Sequence, residues 1–172
     1  MRLMGLSGWS GAGKTTLIAA LIPALRRRGL TVSTIKHAHH AFDVDKPGKD
    51  SYIHRESGAQ EVLVASAHRF ALMHELRGAP EPALADLLKR LTPVDLVIVE
   101  GFKSDPHPKI EVHRTATDKD YIYPADPYIR AIATDAPGPF PMQRFDLDDI
   151  EGIAEWVIRE AVPIEPGGVF AL

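Results

Sequence analysis

One glycine-rich stretch near the start of this sequence restricts the fold more than any other feature. It runs from Gly8 to Thr15 and reads Gly-Trp-Ser-Gly-Ala-Gly-Lys-Thr. An apolar segment, residues 3–6, precedes it, and apolar residues recur at helical spacing over residues 14–28. In the order strand, loop, helix, successive backbone N–H groups and a helix N-terminus face one anion. The stretch therefore predicts a phosphate-binding loop.

The same stretch matches the pattern G-x-x-x-x-G-K-[ST] at every fixed position. In that pattern the lysine reaches the β- and γ-phosphates of a nucleoside triphosphate, and the last hydroxyl is a Mg²⁺ ligand. We therefore predict that Lys14 acts in catalysis and that Thr15 binds Mg²⁺. The predicted nucleotide-binding residues of this region are Gly8, Trp9, Ser10, Gly11, Ala12, Gly13, Lys14, Thr15 and Thr16.

Strand-like and helix-like segments alternate along most of the remaining chain. Further strands are predicted at residues 30–35, 94–99, 109–113 and 129–133, and further helices at residues 82–91 and after a capping Asp148. This alternation predicts an α/β, three-layer P-loop NTPase fold with a mostly parallel sheet and helices on both faces. Residues 61–65 and 69–74 predict an antiparallel hairpin at the sheet edge. We expect one domain, residues 1–162, and a tail, residues 163–172.

Acidic residues are predicted to serve the nucleotide and its metal. Glu100 directly follows the apolar run 94–99, and the end of a buried strand is where P-loop proteins hold a Mg²⁺ carboxylate, so Glu100 is the predicted metal ligand. Asp95, earlier in that run, is the weaker option. Asp43 and Asp45 lie in a long polar segment, where a switch that senses the γ-phosphate would lie. We predict that these two act in catalysis, through a Mg²⁺-bound water or by orienting the attacking water.

The late strand at residues 129–133 is followed by Thr134 and Asp135, which we predict to belong to the nucleotide site. A carboxylate at this position is placed to accept the N1 and N2 protons of guanine, a pair of donors that adenine lacks. The usual N-K-x-D or T-K-x-D form is absent, and a strand-end aspartate is also a common turn former. Spacing alone therefore leaves GTP and ATP both open.

His37, His39 and His40 form a cluster in the polar segment. Neutral imidazoles at this spacing are able to bind Zn²⁺, with Asp43 or His54 completing a tetrahedron. Contacts to phosphate or another anion explain the same side chains without a metal. Both interpretations stay open from the sequence.

Composition argues against several other classes of protein. The formal net charge of −3 provides no basic excess for nonspecific nucleic-acid binding. The chain has no cysteine, which excludes disulfides and thiolate metal sites. No run approaches the ~18 apolar residues of a membrane span, and the glycine-rich loop comes too early for a signal peptide. We expect a cytoplasmic protein that has neither a nucleic acid nor a membrane as its partner.

Three stretches together resemble the MobB family, the GTP-binding adaptor of molybdopterin-guanine dinucleotide biosynthesis. They are Gly8 to Thr15, the polar segment Lys36 to Ser57, and Val99 to Lys103. The core of the polar segment reads Phe-Asp-Val-Asp-Lys-Pro-Gly-Lys-Asp-Ser and is the most discriminating of the three. The resemblance covers most of the first 103 residues and is looser from Lys109 onward.

The resemblance implies a homodimer that binds GTP and Mg²⁺ and hydrolyses GTP slowly if at all. The implied partner is the molybdopterin guanylyltransferase, the enzyme that joins GMP to molybdopterin, and maturation proteins of molybdopterin-dependent enzymes are a further class of partner. Slow hydrolysis also agrees with the residues, because the glycine-rich loop has no arginine and the polar segment has only Arg55.

Two other functions use the same loop and stay open. A small-molecule or nucleoside kinase would need an arginine-rich lid, whereas its candidate arginines are scattered along the chain: Arg55, Arg69, Arg77 and Arg114. A metal-chaperone GTPase would need a metal at the histidine cluster. The identity of the bound nucleotide and the destination of the γ-phosphate separate these functions from an adaptor.

Overall fold

The computed structural model describes residues 1–38 and 42–164. The strands are β1 Arg2–Ser7, β2 Val32–Lys36, β3 Glu61–Ala65, β4 Phe70–His74, β5 Leu96–Glu100, β6 Lys109–His113, β7 Ile129–Thr134, β8 Gln143–Phe145 and β9 Val162–Pro163. The helices are α1 Lys14–Arg27, α2 Asp50–Glu56, α3 Leu84–Leu88 and α4 Ile150–Glu160, with a 3₁₀ turn at Thr115–Thr117. None of the described helices has the length and apolar character needed to cross a bilayer. The chain forms two compact units, Met1–His37 with Leu84–Leu172, and Ala38–Ala83.

The first unit is built on a parallel sheet with the strand order β2-β5-β1-β6-β7-β8. Strand β9 pairs with β1 in the antiparallel direction. Leu6 of β1 lies opposite Glu100 of β5, and Ser7 lies opposite Glu111 of β6. Because parallel strands end at the same edge, the loops that follow β1, β5, β6 and β7 emerge together. The mostly parallel α/β fold expected from the sequence is confirmed.

Helices cover both faces of this sheet. Helices α1 and α4 contribute Leu17, Leu21, Ile153 and Trp156 to a buried cluster on one face. Strand residues of this cluster are Met4, Leu6, Leu96, Ile98, Ile110, Val112, Ala131, Ala133 and Phe145. On the other face, Leu84 and Leu88 of α3 pack with Leu3, Val97 and Val99. The sheet therefore has an apolar core on each side, and its strands alternate between the two cores.

Strand β6 differs from its neighbours because one of its faces is polar and buried. Lys109, Glu111 and His113 alternate along the strand with Ile110 and Val112, and all five residues are buried. Ile110 and Val112 belong to the cluster beneath α1 and α4. The three ionisable side chains consequently share the opposite face, where they require hydrogen-bond partners.

These partners come from the segment that follows β6. The Glu111 carboxylate accepts the backbone N–H groups of Ile122 and Tyr123, both at 2.8 Å. The Lys109 ammonium lies 3.0 Å from the Asp126 carboxylate, and it also donates to the carbonyl of Asp105, just before β6, at 2.8 Å. Buried charged groups are costly unless they are paired in this way. The pairs therefore hold the segment between β6 and β7 against the sheet.

Several local expectations need correction. The helix expected over residues 82–91 is only the single turn Leu84–Leu88, since apolar spacing predicts a buried face but not helix length. Asp149, not Asp148, caps α4, because the Asp149 carboxylate accepts the N–H of Gly152 at 3.0 Å. Pro163, which the sequence placed in the tail, belongs to β9, and residues 165–172 lie outside the described residues. The single domain over residues 1–162 stays a prediction.

The second unit contains the predicted antiparallel hairpin, which forms a two-stranded sheet of its own instead of extending the larger one. Leu63 lies opposite Leu72, and Ala65 lies opposite Phe70, so these four side chains share one face of the hairpin. Leu63, Phe70 and Leu72 are 60%, 72% and 49% exposed. The hairpin thus presents an apolar face that the described residues of its own unit leave exposed.

Candidate nucleotide-binding site

The glycine-rich loop joins β1 to α1 at the carboxyl edge of the parallel sheet. Gly11 and Gly13 have φ angles of +81° and +101°, a left-handed conformation that favours glycine. Gly13 is the N-cap of α1, and its carbonyl accepts the N–H of Leu17 at 2.9 Å. The first N–H groups of a helix have no partner within the helix. The loop therefore leads into the positive end of α1, as the phosphate-binding motif requires.

The side chain of Lys14 folds back over the start of this loop. Its ammonium donates to the carbonyls of Gly8 and Trp9, both at 2.9 Å. Half-burial of the ammonium lowers the pKa of Lys14. A bound triphosphate would replace these neutral carbonyls with negatively charged acceptors, and charge-assisted hydrogen bonds are the stronger kind.

Other charges surround the Lys14 ammonium. Burial has the largest effect on the pKa of Lys14 and lowers it. The nearby Glu100 carboxylate raises this pKa, whereas Lys103 and Lys36 lower it further. Lys36 also lies 3.8 Å from the Glu100 carboxylate. Three lysines and one carboxylate thus influence the same space at the ends of β1, β2 and β5. An excess of positive charge at that edge suits an anionic ligand.

The two predicted Mg²⁺ ligands lie on neighbouring elements. Thr15 is exposed in the first turn of α1, and Glu100 ends β5, beside β1. The Glu100 side chain is 13% exposed and forms an ion pair with Lys36. A hydroxyl and a carboxylate suit Mg²⁺, which takes few protein ligands and completes its shell with phosphates and water. Asp95, the weaker option, precedes β5 at the opposite edge and binds Thr31.

Asp43 and Asp45, the predicted catalytic carboxylates, lie in the second unit, where both approach Arg55. The Arg55 guanidinium donates to both oxygens of Asp43, at 2.9 and 2.7 Å, and this contact lowers the pKa of Asp43. Asp45 lies 3.5 Å from the same guanidinium and accepts the Ser51 hydroxyl at 2.9 Å. Both aspartates are therefore held in ion pairs, and their catalytic role stays a prediction.

The predicted base-reading residues differ in exposure. Thr134 is fully buried, and its hydroxyl oxygen accepts the N–H of Ala136 at 3.1 Å and lies 3.2 Å from a ring nitrogen of His113. Asp135 is exposed, and one carboxylate oxygen accepts the N–H of Thr115 at 2.8 Å, which lowers the pKa of Asp135. Thr134 therefore helps to fix the end of β7 and Asp135 is exposed to solvent, and the roles of both in binding the base stay predictions.

The remaining loop side chains form an exposed surface. Trp9 is 40% exposed, its indole N–H donates to the carbonyl of Asp120 at 2.7 Å, and the Lys103 ammonium lies 4.6 Å from its ring centre. Ser10 and Thr16 are also exposed, whereas Ala12 is buried. Trp9 thus connects the loop to the segment that follows β6.

The histidine cluster is only partly visible. His39 and His40 lie outside the described residues, and the His37 ring packs against Phe102 with ring centres 4.8 Å apart. Within residues 1–38 and 42–164, no three histidine or acidic side chains come close enough to hold a metal ion. Zinc binding by the cluster stays a prediction.

Sequence reasoning named Arg114 only among the scattered arginines of the kinase alternative, whereas the structure places it against the loop. A Cβ atom added to Gly13 would lie 3.1 Å from the Arg114 Nε atom. Arg114 directly follows β6, and β6 pairs with β1, the strand that leads into the loop. A polar residue at the end of the strand paired with β1 was the available signal, but that pairing is not evident from sequence.

Comparisons with known proteins agree on one family. The family model described as "Molybdopterin guanine dinucleotide synthesis protein B", MobB, matches residues 3–135. The molybdopterin-guanine dinucleotide biosynthesis adapter protein of Escherichia coli (strain K12) is 43% identical over 160 residues, which cover 91% of each chain. Its namesake from Haemophilus influenzae is 42% identical over 158 residues, covering 90% of this chain and 86% of that protein.

Solved structures give the same result. A crystal structure of "molybdopterin-guanine biosynthesis protein B (mobB)" aligns with a TM-score of 0.73 and 28% identity, covering 91% of this chain and 98% of that one. A MobB protein homolog from Bacillus stearothermophilus aligns with a TM-score of 0.68 and 28% identity, covering 93% of this chain and 97% of that one. The family match includes the whole glycine-rich loop, Glu100 and Asp135.

Replacing Lys14 by alanine is expected to weaken triphosphate binding roughly ten- to hundred-fold or more. A charge-assisted hydrogen bond is worth ~1.5–3 kcal/mol, and a tenfold change in affinity corresponds to ~1.4 kcal/mol. Titration calorimetry with GTP and Mg²⁺ measures the change. The control is Lys89→Ala, which removes an exposed lysine paired with Asp86 on α3. Unchanged affinity in a folded Lys14→Ala variant would contradict the assignment of the loop.

Proposed function

This chain is a member of the MobB family of molybdopterin guanine dinucleotide synthesis proteins, and we propose that it is a GTP-binding adaptor that assists the attachment of GMP to molybdopterin. The observation that carries the nucleotide part is the complete loop from Gly8 to Thr15, with the Lys14 ammonium folded across its start. The partner in this proposal is the molybdopterin guanylyltransferase, with maturation proteins of molybdopterin-dependent enzymes as a further class. The proposal retains the expected cytoplasmic location.

Mg²⁺ is part of the proposed bound state. The Thr15 hydroxyl and the Glu100 carboxylate would hold it, and the metal would neutralise charge on the β- and γ-phosphates. The phosphates of the nucleotide are proposed to be bound by two parts of the loop. Lys14 reaches the terminal phosphates, and the N–H groups that lead into α1 bind the inner ones.

Guanine selectivity is proposed to come from Asp135. Asp135 is exposed and directly follows β7. In the sheet, β7 is separated from β1 by β6 alone. One oxygen is engaged by the N–H of Thr115, which orients the carboxylate. Guanine offers two N–H donors to such a group, and a lost acceptor costs about 1–3 kcal/mol.

Asp135→Ala is therefore expected to lower the ratio of GTP affinity to ATP affinity roughly five- to hundred-fold. Asp135→Asn is the matched variant, because its amide oxygen still accepts the Thr115 N–H while the carboxylate is lost. Calorimetric titration of both nucleotides into wild type and both variants gives the ratios. If both variants keep the wild-type ratio, another residue reads the base.

Hydrolysis of GTP by the isolated protein is proposed to be slow. Phosphoryl transfer needs positioned positive charge and an oriented water. The carboxylates predicted to orient that water, Asp43 and Asp45, are both paired with Arg55, which donates to Glu75 as well. Neither is free to hold a water until these contacts rearrange. A partner that takes over Arg55 would release them, which suits an adaptor that keeps GTP until it meets its partner.

We expect purified protein with saturating GTP and Mg²⁺ to release phosphate more slowly than ~1 s⁻¹, the lower end of the range typical of kinases. Adding the guanylyltransferase and molybdopterin is expected to speed it. Phosphate-release kinetics and mass spectrometry of the products measure both. Turnover faster than ~1 s⁻¹ without a partner, or transfer of phosphate to a metabolite, would overturn the adaptor proposal in favour of the kinase.

The homodimer is proposed to form through the hairpin β3–β4. Its exposed apolar face contains Leu63, Phe70 and Leu72. A lone two-stranded sheet is marginally stable and leaves strand edges unpaired, so covering it is favourable. A second copy presents the identical patch, and a two-fold interface buries the same residues on both sides.

Leu72→Asp is expected to convert the dimer into a monomer, because it places a charge in the centre of that face. Ala71→Asp is the matched control, since the adjacent residue points to the other face of β4 and is also exposed. Light scattering over a range of concentrations measures the mass in each case. A wild-type protein that stays at the mass of one chain, or equal effects of the two changes, would contradict this interface.

A further inference from the structure

Arg114 stands beside the glycine-rich loop although no motif includes it. A Cβ atom added to Gly13 would lie 3.1 Å from the Arg114 Nε atom and 3.5 Å from Nη2. A Cβ atom added to Gly11 would lie 3.9 Å from the methyl group of Thr117. The turn from Arg114 to Thr117 therefore borders the loop along its last glycines. We infer that Arg114 binds the α- and β-phosphates of the nucleotide, an inference that rests on the proposed nucleotide-binding function.

The backbone around Arg114 is fixed. The Arg114 carbonyl accepts the N–H of Thr117 at 3.0 Å and its hydroxyl at 2.7 Å. The N–H of Thr115 donates to Asp135 at 2.8 Å. The preceding His113 is buried, with one ring nitrogen 3.0 Å from the Lys119 carbonyl. These bonds hold the backbone of the turn in place, so ligand binding would order the Arg114 side chain but not the segment that carries it.

The guanidinium has no anionic partner in its own chain, as far as residues 1–38 and 42–164 show. Within those residues no carboxylate lies within the 4.0 Å of an ion pair, and no hydrogen bond from the side chain is formed. Arg114 is near enough to Asp135 to help lower the pKa of that carboxylate, but the hydrogen bond that Asp135 accepts comes from Thr115. Arg114 is partly buried, and a guanidinium that loses water without gaining an acceptor is unfavourable. An anion at the loop would satisfy it.

The position of Arg114 selects which phosphates it binds. The Lys14 ammonium lies over the start of the loop, at the carbonyls of Gly8 and Trp9. Arg114 lies at the other end, beside Gly13, the N-cap of α1. In this motif the lysine reaches the β- and γ-phosphates, and the loop backbone holds the α- and β-phosphates. Arg114 therefore contributes to affinity for GTP and GDP alike and does not act on the γ-phosphate.

Calorimetric titration of GTP and of GDP, each with Mg²⁺, tests this role. Arg114→Ala is expected to weaken both affinities by a similar factor, roughly tenfold or more. Arg114→Lys is expected to recover part of the loss, because it keeps the charge but not the planar fork of donors. The control is Arg130→Ala, which removes an exposed arginine on β7. Should Arg114→Ala fail to fold, Arg114→Gln removes the charge while keeping two N–H donors.

Three results would overturn the inference while leaving the proposed function intact. The first is that wild type binds both nucleotides and Arg114→Ala binds them equally well. Alternatively, the loss is confined to GTP, or only the rate of phosphate release falls while both affinities stay unchanged, either of which would place Arg114 at the γ-phosphate. If wild type binds neither GTP nor GDP, the proposed function fails and the inference fails with it.

Discussion

The packing of α1 against the parallel sheet is the constraint on which the rest of the site depends. Leu17 and Leu21 are buried with Met4 and Leu6 of β1, so apolar packing holds the helix against the strand that precedes it. Its N-terminus is thereby held at the carboxyl edge, where the loop delivers N–H groups with no partner inside the helix. An apolar interaction on one side of the sheet thus fixes the polar site at its end.

A second set of interactions, on the other face, positions the residues that motif reading does not reach. The buried Glu111 and Lys109 secure the segment after β6 through Tyr123 and Asp126. Burial raises the pKa of Glu111, so the two backbone N–H groups that it accepts are needed to stabilise its charged form. Because Glu111 and Lys109 are buried, leaving either without its partner would be costly. The contacts therefore favour one path for the segment after β6, which begins with Arg114.

The parts of the site that sequence reasoning located are those encoded within a few consecutive residues. The loop from Gly8 to Thr15 and the end of β5 at Glu100 need only local pattern, and both lie at one sheet edge. Arg114 was not assigned to the loop because its place there depends on β6 pairing with β1, two strands separated by about a hundred residues. The cap of α4 was assigned to Asp148 instead of Asp149, because the choice between two adjacent acidic residues depends on the residue at which the first helical turn begins.

In the second unit, the sequence indicated which carboxylates to examine but not the contacts that they make in the folded chain. Asp43 and Asp45 were selected as carboxylates for water or metal, and a sequence cannot show that Arg55, ten or more positions later, already binds them. The Asp43 side chain is 42% exposed, so solvent screens its ion pair with Arg55. The side chains of Asp45 and Arg55 are only 10% and 12% exposed, so their contact is the better shielded of the two. Arg55 therefore binds both carboxylates, and the contact with Asp43 is the one that lies open to an approaching charged surface.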